Sequence, residues 1–221
     1  MKLKVCGMNY KNNIQEVALL RPDYLGFIFY EKSSRFFNGE IPTLPDSIKK
    51  VGVFVNSSLE SIAEKVMTHN LQAVQLHGKE SPEFIKELIR MFADSNFSLV
   101  EIIKVFSIKD DFDFSVLQPY ESLCNYFLFD TKGKLPGGNG YAFNWDILSK
   151  YPSSKPYFLS GGIGNSEIEN LKQFKATQAS KYCYAIDVNS KFEIKPGLKN
   201  IFELEQFRTN VASINFRGTK K

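Results

Sequence analysis

The stretch Tyr126-Phe-Leu-Phe129, followed directly by Asp130-Thr131, is the pattern that decides the fold. Consecutive large apolar side chains that end in polar residues are typical of a strand covered on both faces, as in a parallel sheet. Seven further short apolar runs occur at fairly even spacing: Leu3–Cys6, Leu25–Tyr30, Val51–Val55, Ala73–Leu76, Val100–Phe106, Pro156–Leu159 and Tyr182–Val188. The sequence therefore predicts eight buried strands.

Amphipathic stretches between these runs predict helices. In Ser57–Asn70 the apolar residues recur at helical spacing after serines that can cap a helix, and three similar stretches are Ser81–Phe92, Asn165–Phe174 and Asn200–Val211. Strands alternating with helices leave a closed (β/α)₈ barrel or an open doubly wound sheet. Cys6-Gly7-Met8 follows the first strand in place of G-x-G-x-x-G, which disfavours the dinucleotide-binding form of the open sheet.

We therefore predict the α/β class and a single-domain (β/α)₈ TIM barrel. The length of 221 residues fits, because such barrels begin at roughly 200 residues. The sequence has no Pro- or Ser-rich linker, so one domain should span residues 1–221. The polar, basic tail from about residue 213 is expected to fray or be disordered.

Composition excludes several classes of protein. The 28 basic and 24 acidic residues give a net charge of +4 and are spread along the chain, so no nucleic-acid surface is expected. Cys6, Cys124 and Cys183 are odd in number and widely spaced, which argues against a disulfide framework. His69 and His77 lack the neighbours of a metal site. No apolar run approaches the roughly 18 residues of a membrane span, so we expect a protein of the reducing cytoplasm.

Candidate site residues follow the predicted strands, where the active sites of (β/α)₈ barrels are formed. Cys6 faces away from Leu3 and Val5, towards the barrel interior or mouth, and Gly7 permits a sharp turn after it. A lone cysteine in an apolar strand is otherwise a small buried hydrophobic residue. Asp130 at a semi-apolar barrel mouth can keep a proton, as a general acid must, or can pin a loop by a hydrogen bond.

The other candidates have polar groups suited to an anionic ligand. The Arg35 guanidinium matches a carboxylate in two-pronged fashion, although a surface salt bridge is the simpler interpretation. Gly161-Gly162 and Asn189-Ser190 follow the seventh and eighth strands, where many such barrels bind phosphate on backbone N–H groups. His77 is a polar residue at a strand end or a substrate contact. The loop Gly137-Gly-Asn-Gly140 is a plain turn or a lid.

At this point an ordered set of short motifs resembles the phosphoribosylanthranilate isomerase family. The motifs run in family order from residue 4 to about residue 197: Lys4-Val-Cys-Gly7, Gly26-Phe-Ile-Phe-Tyr30, Ser33-Ser-Arg-Phe36, Val51-Gly-Val-Phe-Val-Asn56, Val74-Gln-Leu-His-Gly78, Phe129-Asp-Thr131, Gly137-Gly-Asn-Gly140 with Phe143-Asn-Trp145, Leu159-Ser-Gly-Gly162 and Asp187-Val-Asn-Ser190. Each motif is short, but the ordered set is highly specific.

The resemblance implies an Amadori rearrangement in tryptophan biosynthesis, on a small phosphorylated substrate and without cofactor or metal. It implies that Cys6 is the general base, Asp130 the general acid and Arg35 the group that holds the anthranilate carboxylate. The phosphate-side residues are Gly161, Gly162, Asn189 and Ser190, with Asp187 nearby and His77 in the substrate site. We expect a monomer or a homodimer, with no nucleic-acid or membrane partner.

Two departures from the family pattern and two rival functions remain. Lys191 stands where the family usually has glycine, and Asn139 stands where Thr or Ser is commoner. The nearest rival is the histidine-pathway isomerase, which uses an aspartate on strand 1, where this chain has Cys6. A non-catalytic phosphate-binding barrel would not need Cys6 and Asp130 as a base and an acid.

Overall fold

The structure is a computed structural model that describes residues 1–95, 97–109, 111–131 and 144–215. Eight parallel strands hydrogen-bond in sequence order and close into a barrel, with β1 paired to β8. The strands are β1 (Lys2–Val5), β2 (Tyr24–Ile28), β3 (Lys49–Phe54), β4 (Ala73–Leu76), β5 (Glu101–Ile108), β6 (Tyr126–Thr131), β7 (Tyr157–Leu159) and β8 (Cys183–Val188). The predicted (β/α)₈ barrel is confirmed.

Helices pack around the strands. The α-helices are α1 (Lys11–Leu19), α2 (Leu59–His69), α3 (Pro82–Asp94), α4 (Ile168–Lys175) and α5 (Ile201–Asn215). The 3₁₀ segments are Phe114–Tyr120, Trp145–Lys150, Asn165–Glu167, Gln178–Tyr182 and Ser190–Phe192, and a hairpin is formed by β9 (Glu193–Lys195) and β10 (Leu198–Lys199). Ser58 caps α2 and Ser81 caps α3, each by accepting a backbone N–H three residues later.

The structure adds one helix that the sequence did not predict and shows how far the last helix extends. The sequence did not predict α1, which is held in place by Asn13: its side chain accepts from the Lys199 N–H at 2.7 Å and donates to the Lys199 carbonyl at 2.9 Å. At the other end, α5 continues to residue 215. Of the tail expected to fray from about residue 213, residues 216–221 lie outside the described residues.

The core has two layers separated by the strands. Side chains on the outer face of the barrel, Leu3 and Val5 among them, pack beneath the helices. A smaller cluster fills the barrel itself and consists of Tyr24, Val51, Ala73, Ile103, Val105, Leu128, Phe158 and Ala185. None of the helices in the described ranges is long and apolar enough to cross a membrane.

Candidate active site

A cavity of about 400 Å³ lies at the C-terminal ends of the barrel strands. All nine site residues predicted from the sequence line it: Cys6, Arg35, His77, Asp130, Gly161, Gly162, Asp187, Asn189 and Ser190. They follow or end strands β1, β2, β4, β6, β7 and β8, so they are far apart in sequence and are brought together by closure of the barrel. The loop Gly137-Gly-Asn-Gly140 lies outside the described residues.

Cys6 lies directly after β1, and its backbone N–H extends the pairing with β8 by donating to the Val188 carbonyl at 2.9 Å. Its side chain is buried and reaches the cavity wall. Gly26 on the neighbouring strand makes room for it, because a Cβ atom at that position would lie 2.7 Å from the Cys6 Sγ. The thiol is therefore held in a fixed place at the bottom of the cavity.

Buried charges surround this thiol. The Lys4 Nζ, fully buried, donates to the Asp187 Oδ1 at 2.9 Å, and Lys4 lies on the same face of the chain as Cys6 because the two are two residues apart. Burial raises the pKa of Cys6, the ammonium groups of Lys4 and Lys199 lower it, and the Asp187 carboxylate raises it. Lys4 is thus the nearest group on this strand that can stabilise a thiolate.

Asp130 is held near the end of β6. Its Oδ1 accepts the Thr131 N–H at 3.0 Å, and its Oδ2 lies 3.6 Å from the His77 Nε2. Burial raises the pKa of Asp130, and hydrogen bonds from Thr131 and Ser160, together with the charge of Lys4, limit the rise. A raised pKa lets this carboxyl hold a proton at higher pH than an exposed aspartate does.

His77 is uncharged at neutral pH, because burial lowers its pKa to about 4, with Lys4 acting in the same direction. The Gln75 Nε2 lies 3.3 Å from the His77 Nδ1. With the Gln75 amide oriented this way its N–H donates to Nδ1, which leaves the ring proton on Nε2, towards Asp130. His77 therefore faces Asp130 as a neutral donor.

Arg35 reaches the cavity from the loop after β2 and is held by Glu193. Its Nε lies 2.8 Å from the Glu193 Oε1, and its Nη2 lies 2.6 Å from Oε2. Gly7, at φ 73°, allows this approach: a Cβ there would be 2.8 Å from the Arg35 Cδ and 2.7 Å from the Asn189 Oδ1. Gly7 thus permits both the turn after Cys6 and the close approach of the Arg35 side chain.

The predicted phosphate side contains two glycines in the left-handed region. Gly161 and Gly162 have φ values of 94° and 69°, which side-chain-bearing residues rarely adopt. A Cβ on Gly161 would also collide with the Thr131 hydroxyl. Ser190 and Lys191, at the start of a 3₁₀ turn, also line the cavity. The backbone is therefore open to a ligand on this side.

Sequence reasoning missed several polar residues of the site. Lys4, Gln75, Thr131, Glu193 and Lys199 were not predicted as members of it. One signal was available, since Lys4 interrupts the apolar run at the position that shares a face with Cys6. Within the described ranges, the buried Gln75 Oε1 and Thr131 Oγ1, both on residues lining the cavity, have no hydrogen-bond partner.

Within the described residues, no three or more His, Cys, Asp or Glu side chains lie together so that they could hold a metal ion. Comparison with known proteins decides the family. The family model described as N-(5'phosphoribosyl)anthranilate (PRA) isomerase matches residues 3–210. The chain belongs to this family.

Relatives in this family cover nearly the whole chain. An N-(5'-phosphoribosyl)anthranilate isomerase of Parabacteroides distasonis is 44% identical over 214 residues, which are 94% of this chain and 91% of the relative. The crystal structure of phosphoribosyl anthranilate isomerase from Thermotoga maritima has a TM-score of 0.77 at 29% identity and covers 96% and 99% of the two chains. A structure of the isomerase in complex with reduced 1-(o-carboxyphenylamino)-1-deoxyribulose 5-phosphate has a TM-score of 0.74 at 26% identity, with the same coverage.

Proposed function

We propose that the chain converts N-(5′-phosphoribosyl)anthranilate into 1-(2-carboxyphenylamino)-1-deoxyribulose 5-phosphate, the Amadori rearrangement of tryptophan biosynthesis. Membership of the isomerase family supports this assignment. The observation that carries it is that Cys6, Asp130 and Arg35 line one cavity. A base, an acid and a carboxylate-binding group are the three parts that the reaction needs.

In the first step, Asp130 protonates the ribose ring oxygen. The bond from that oxygen to C1′ then breaks, and the nitrogen lone pair forms a Schiff base with C1′. The raised pKa of Asp130 supports this role, because a carboxyl that keeps its proton closer to neutral pH is a better general acid. The neutral His77 lies 3.6 Å from Asp130 and can stabilise the carboxylate that remains.

In the second step, the Cys6 thiolate removes the proton from C2′, and the resulting enolamine tautomerises to the aminoketone. Overall, C2′ and its hydroxyl each lose a proton, while the ring oxygen and C1′ each gain one. Every step is a proton transfer or the ring opening that accompanies it, so we propose no cofactor and no metal. The buried Lys4 ammonium supplies the positive charge that favours the thiolate.

The two ends of the substrate are assigned to opposite parts of the cavity. Arg35 holds the anthranilate carboxylate by paired N–H donors. Gly161, Gly162, Asn189 and Ser190 hold the phosphate, mainly through oriented backbone N–H groups, with Asp187 and His77 alongside. We propose that the enzyme works in the cytoplasm, which is supported by three free cysteines. Whether it is a monomer or a homodimer stays a prediction.

The decisive experiment is an isomerisation assay with freshly made phosphoribosylanthranilate, in which the aminoketone product is quantified by chromatography. The matched comparison is the phosphoribosyl substrate of the histidine-pathway isomerase. We expect turnover of the first and none of the second, because Cys6 replaces the strand-1 aspartate that the histidine-pathway reaction uses. Turnover of only the second substrate would refute the assignment, and turnover of neither would favour a phosphate-binding barrel without catalysis.

A further inference from the structure

Glu193, on the β9–β10 hairpin, lies at the centre of a buried network behind the cavity. Its carboxylate accepts three hydrogen bonds from Arg35: from Nε at 2.8 and 3.0 Å, and from Nη2 at 2.6 Å. It also accepts from the Gly197 N–H at 3.0 Å and from the Lys199 Nζ at 2.8 Å. The Glu193 side chain is only 5% exposed, so this charge-assisted contact is shielded from solvent, unlike a surface ion pair.

Lys199 fixes the position of this carboxylate. Its side chain is fully buried, and its Nζ also donates to the Asn189 Oδ1 at 2.7 Å. Its backbone is clamped to Asn13 by two hydrogen bonds. The carboxylate is therefore bound by a residue that is itself held through both its backbone and its side chain.

This arrangement determines which edge of Arg35 is free. A guanidinium has five N–H donors in a planar fork. Glu193 occupies the edge formed by Nε and Nη2, which leaves the edge formed by Nη1 and the second Nη2 hydrogen. That remaining edge still offers two parallel donors, the geometry that a carboxylate accepts in bidentate fashion. Arg35 lines the cavity, and among the described residues its guanidinium hydrogen-bonds only through Nε and Nη2, so we take the other edge as the one offered to a ligand.

The charges of the network fit an anionic ligand. Arg35 and Lys199 are both cations, and Glu193 lies between them as the shared anion. The attraction of Arg35 and Lys199 outweighs the effect of burial and lowers the pKa of Glu193, so it stays ionised. Burial lowers the pKa of Lys199, while the Glu193 carboxylate acts in the opposite direction. Glu193 therefore pairs with both basic side chains and fixes the edge of the Arg35 guanidinium that it binds.

We propose that Glu193 is a positioning residue that presents the free edge of Arg35 to the anthranilate carboxylate. This inference rests on the proposed function, because it requires a substrate carboxylate in the cavity. Glu193 is not expected to contact the substrate. Its effect should therefore be confined to ligands that carry the carboxylate.

The test compares Glu193→Gln with the wild type in the binding of two probes. The first is reduced 1-(o-carboxyphenylamino)-1-deoxyribulose 5-phosphate, and the second is the same molecule without its carboxyl group. Gln keeps the size of the side chain but loses one acceptor oxygen and the charge. We expect the dissociation constant of the first probe to rise about tenfold, as for one charge-assisted hydrogen bond, and that of the second to stay within about twofold.

Two further variants support the comparison. Arg35→Lys should show the same selective loss, because it keeps the charge but lacks the fork. Glu193→Asp keeps the charge with a shorter side chain, and we expect a smaller selective loss. It also keeps the test informative if Glu193→Gln fails to fold, which circular dichroism would show.

The outcomes separate the two hypotheses. If Glu193→Gln binds the carboxylate probe more tightly, Glu193 competes with the substrate for Arg35 and the positioning role is refuted. Equal weakening of both probes would also refute it, because the variant would then be disturbing the whole cavity. If the wild type binds neither probe, the proposed function itself fails.

Discussion

Lys4 and Asp187 form a buried ion pair directly beside Cys6, with the Lys4 Nζ 2.9 Å from the Asp187 Oδ1 and neither side chain more than 6% exposed. They are opposite one another where β1 pairs with β8. The two charges act on the Cys6 thiol with opposite sign: Lys4 lowers its pKa and Asp187 raises it. Burial is the main cause of the raised Cys6 pKa, and this ion pair modifies how readily the proposed base is formed.

We predict that Asp187→Asn lowers the pKa of Cys6, because the negative charge that opposes the thiolate is removed while Lys4 stays. The measurement is the pH dependence of Cys6 alkylation by iodoacetamide in the variant and the wild type. Removing one partner of a buried pair costs about 3–5 kcal/mol of stability, so the fold is checked first by circular dichroism.

The control for this measurement is Cys6→Ser, which reports the background alkylation of Cys124 and Cys183. Burial raises the pKa of each of these to about 12, so they should react little near neutral pH. A Cys6 pKa that is unchanged or higher in a folded Asp187→Asn protein would show that Asp187 does not restrain the thiol.

Cys6→Ser and Asp130→Asn should each leave the fold intact and lower kcat/KM by roughly 10²–10⁴-fold, the usual contribution of a general base or acid. Both replacements nearly preserve the shape of side chains that lie on the cavity wall. Steady-state kinetics and thermal melting provide the measurements. Near-normal turnover by both folded variants would rule out the assigned roles.

The pH dependence distinguishes the acid from the base. Burial raises the pKa values of both Cys6 and Asp130, and we expect the carboxyl to lose its proton at lower pH than the thiol. The active form has Asp130 protonated and Cys6 ionised, so the two groups together carry one proton. Above the Cys6 pKa both groups are ionised, and the wild-type kcat/KM therefore falls as pH rises through that pKa. The residual rate of Asp130→Asn needs only the thiolate and should rise over the same pH range. A parallel fall in both proteins would assign this limb to another group.

His77 should make the fold less stable in mild acid. Its pKa is lowered by burial from 6.5 to about 4, so below pH 6.5 the unfolded chain binds more protons than the folded one. Stability that is present above pH 6.5 is therefore lost as pH falls towards 4. His77→Gln should abolish up to about 3 kcal/mol of this loss, as measured by urea unfolding between pH 7 and 4. His69→Gln, at the end of α2, is the matched control and should have a smaller effect.

Lys191 allows a separate test of the phosphate side. It is exposed and stands where the family usually has glycine, so Lys191→Gly keeps the backbone N–H and removes the side chain with its charge. If the backbone provides most of the binding, the inhibition constant of inorganic phosphate should change little at fixed ionic strength. A large loss of affinity would show that Lys191 itself binds the phosphate. Absence of inhibition in both proteins would argue against a phosphate site here.

Strands could be predicted well because each is covered on both faces and leaves a continuous apolar run. The observed bounds of β4 are those of the predicted run Ala73–Leu76, and β6 begins at Tyr126 as expected. Helix α1 could not be predicted in the same way. Only three of its nine residues, Ile14, Val17 and Ala18, are buried apolar ones, and its anchor through Asn13 joins positions 186 residues apart.

The site residues could be predicted from the sequence because they follow strands. The residues that pair with them could not be predicted, because an ion pair depends on which strands become neighbours. Lys4 and Asp187 are 183 residues apart, and Arg35 and Glu193 are 158 apart. Nothing local distinguishes Glu193 from the exposed acidic residues of the chain. Its role follows only from the closed barrel, which brings the β9–β10 hairpin against the loop after β2.

The filling of the barrel has a consequence for the rate of turnover. Leu128 and Phe158 are fully buried and lie two residues before Asp130 and Ser160, directly beneath the cavity. The cavity is therefore a blind pit, and the product leaves through the mouth by which the substrate entered. A second substrate molecule therefore cannot enter before the product has left. The residence time of the product consequently limits throughput whenever it exceeds the time taken by the proton transfers.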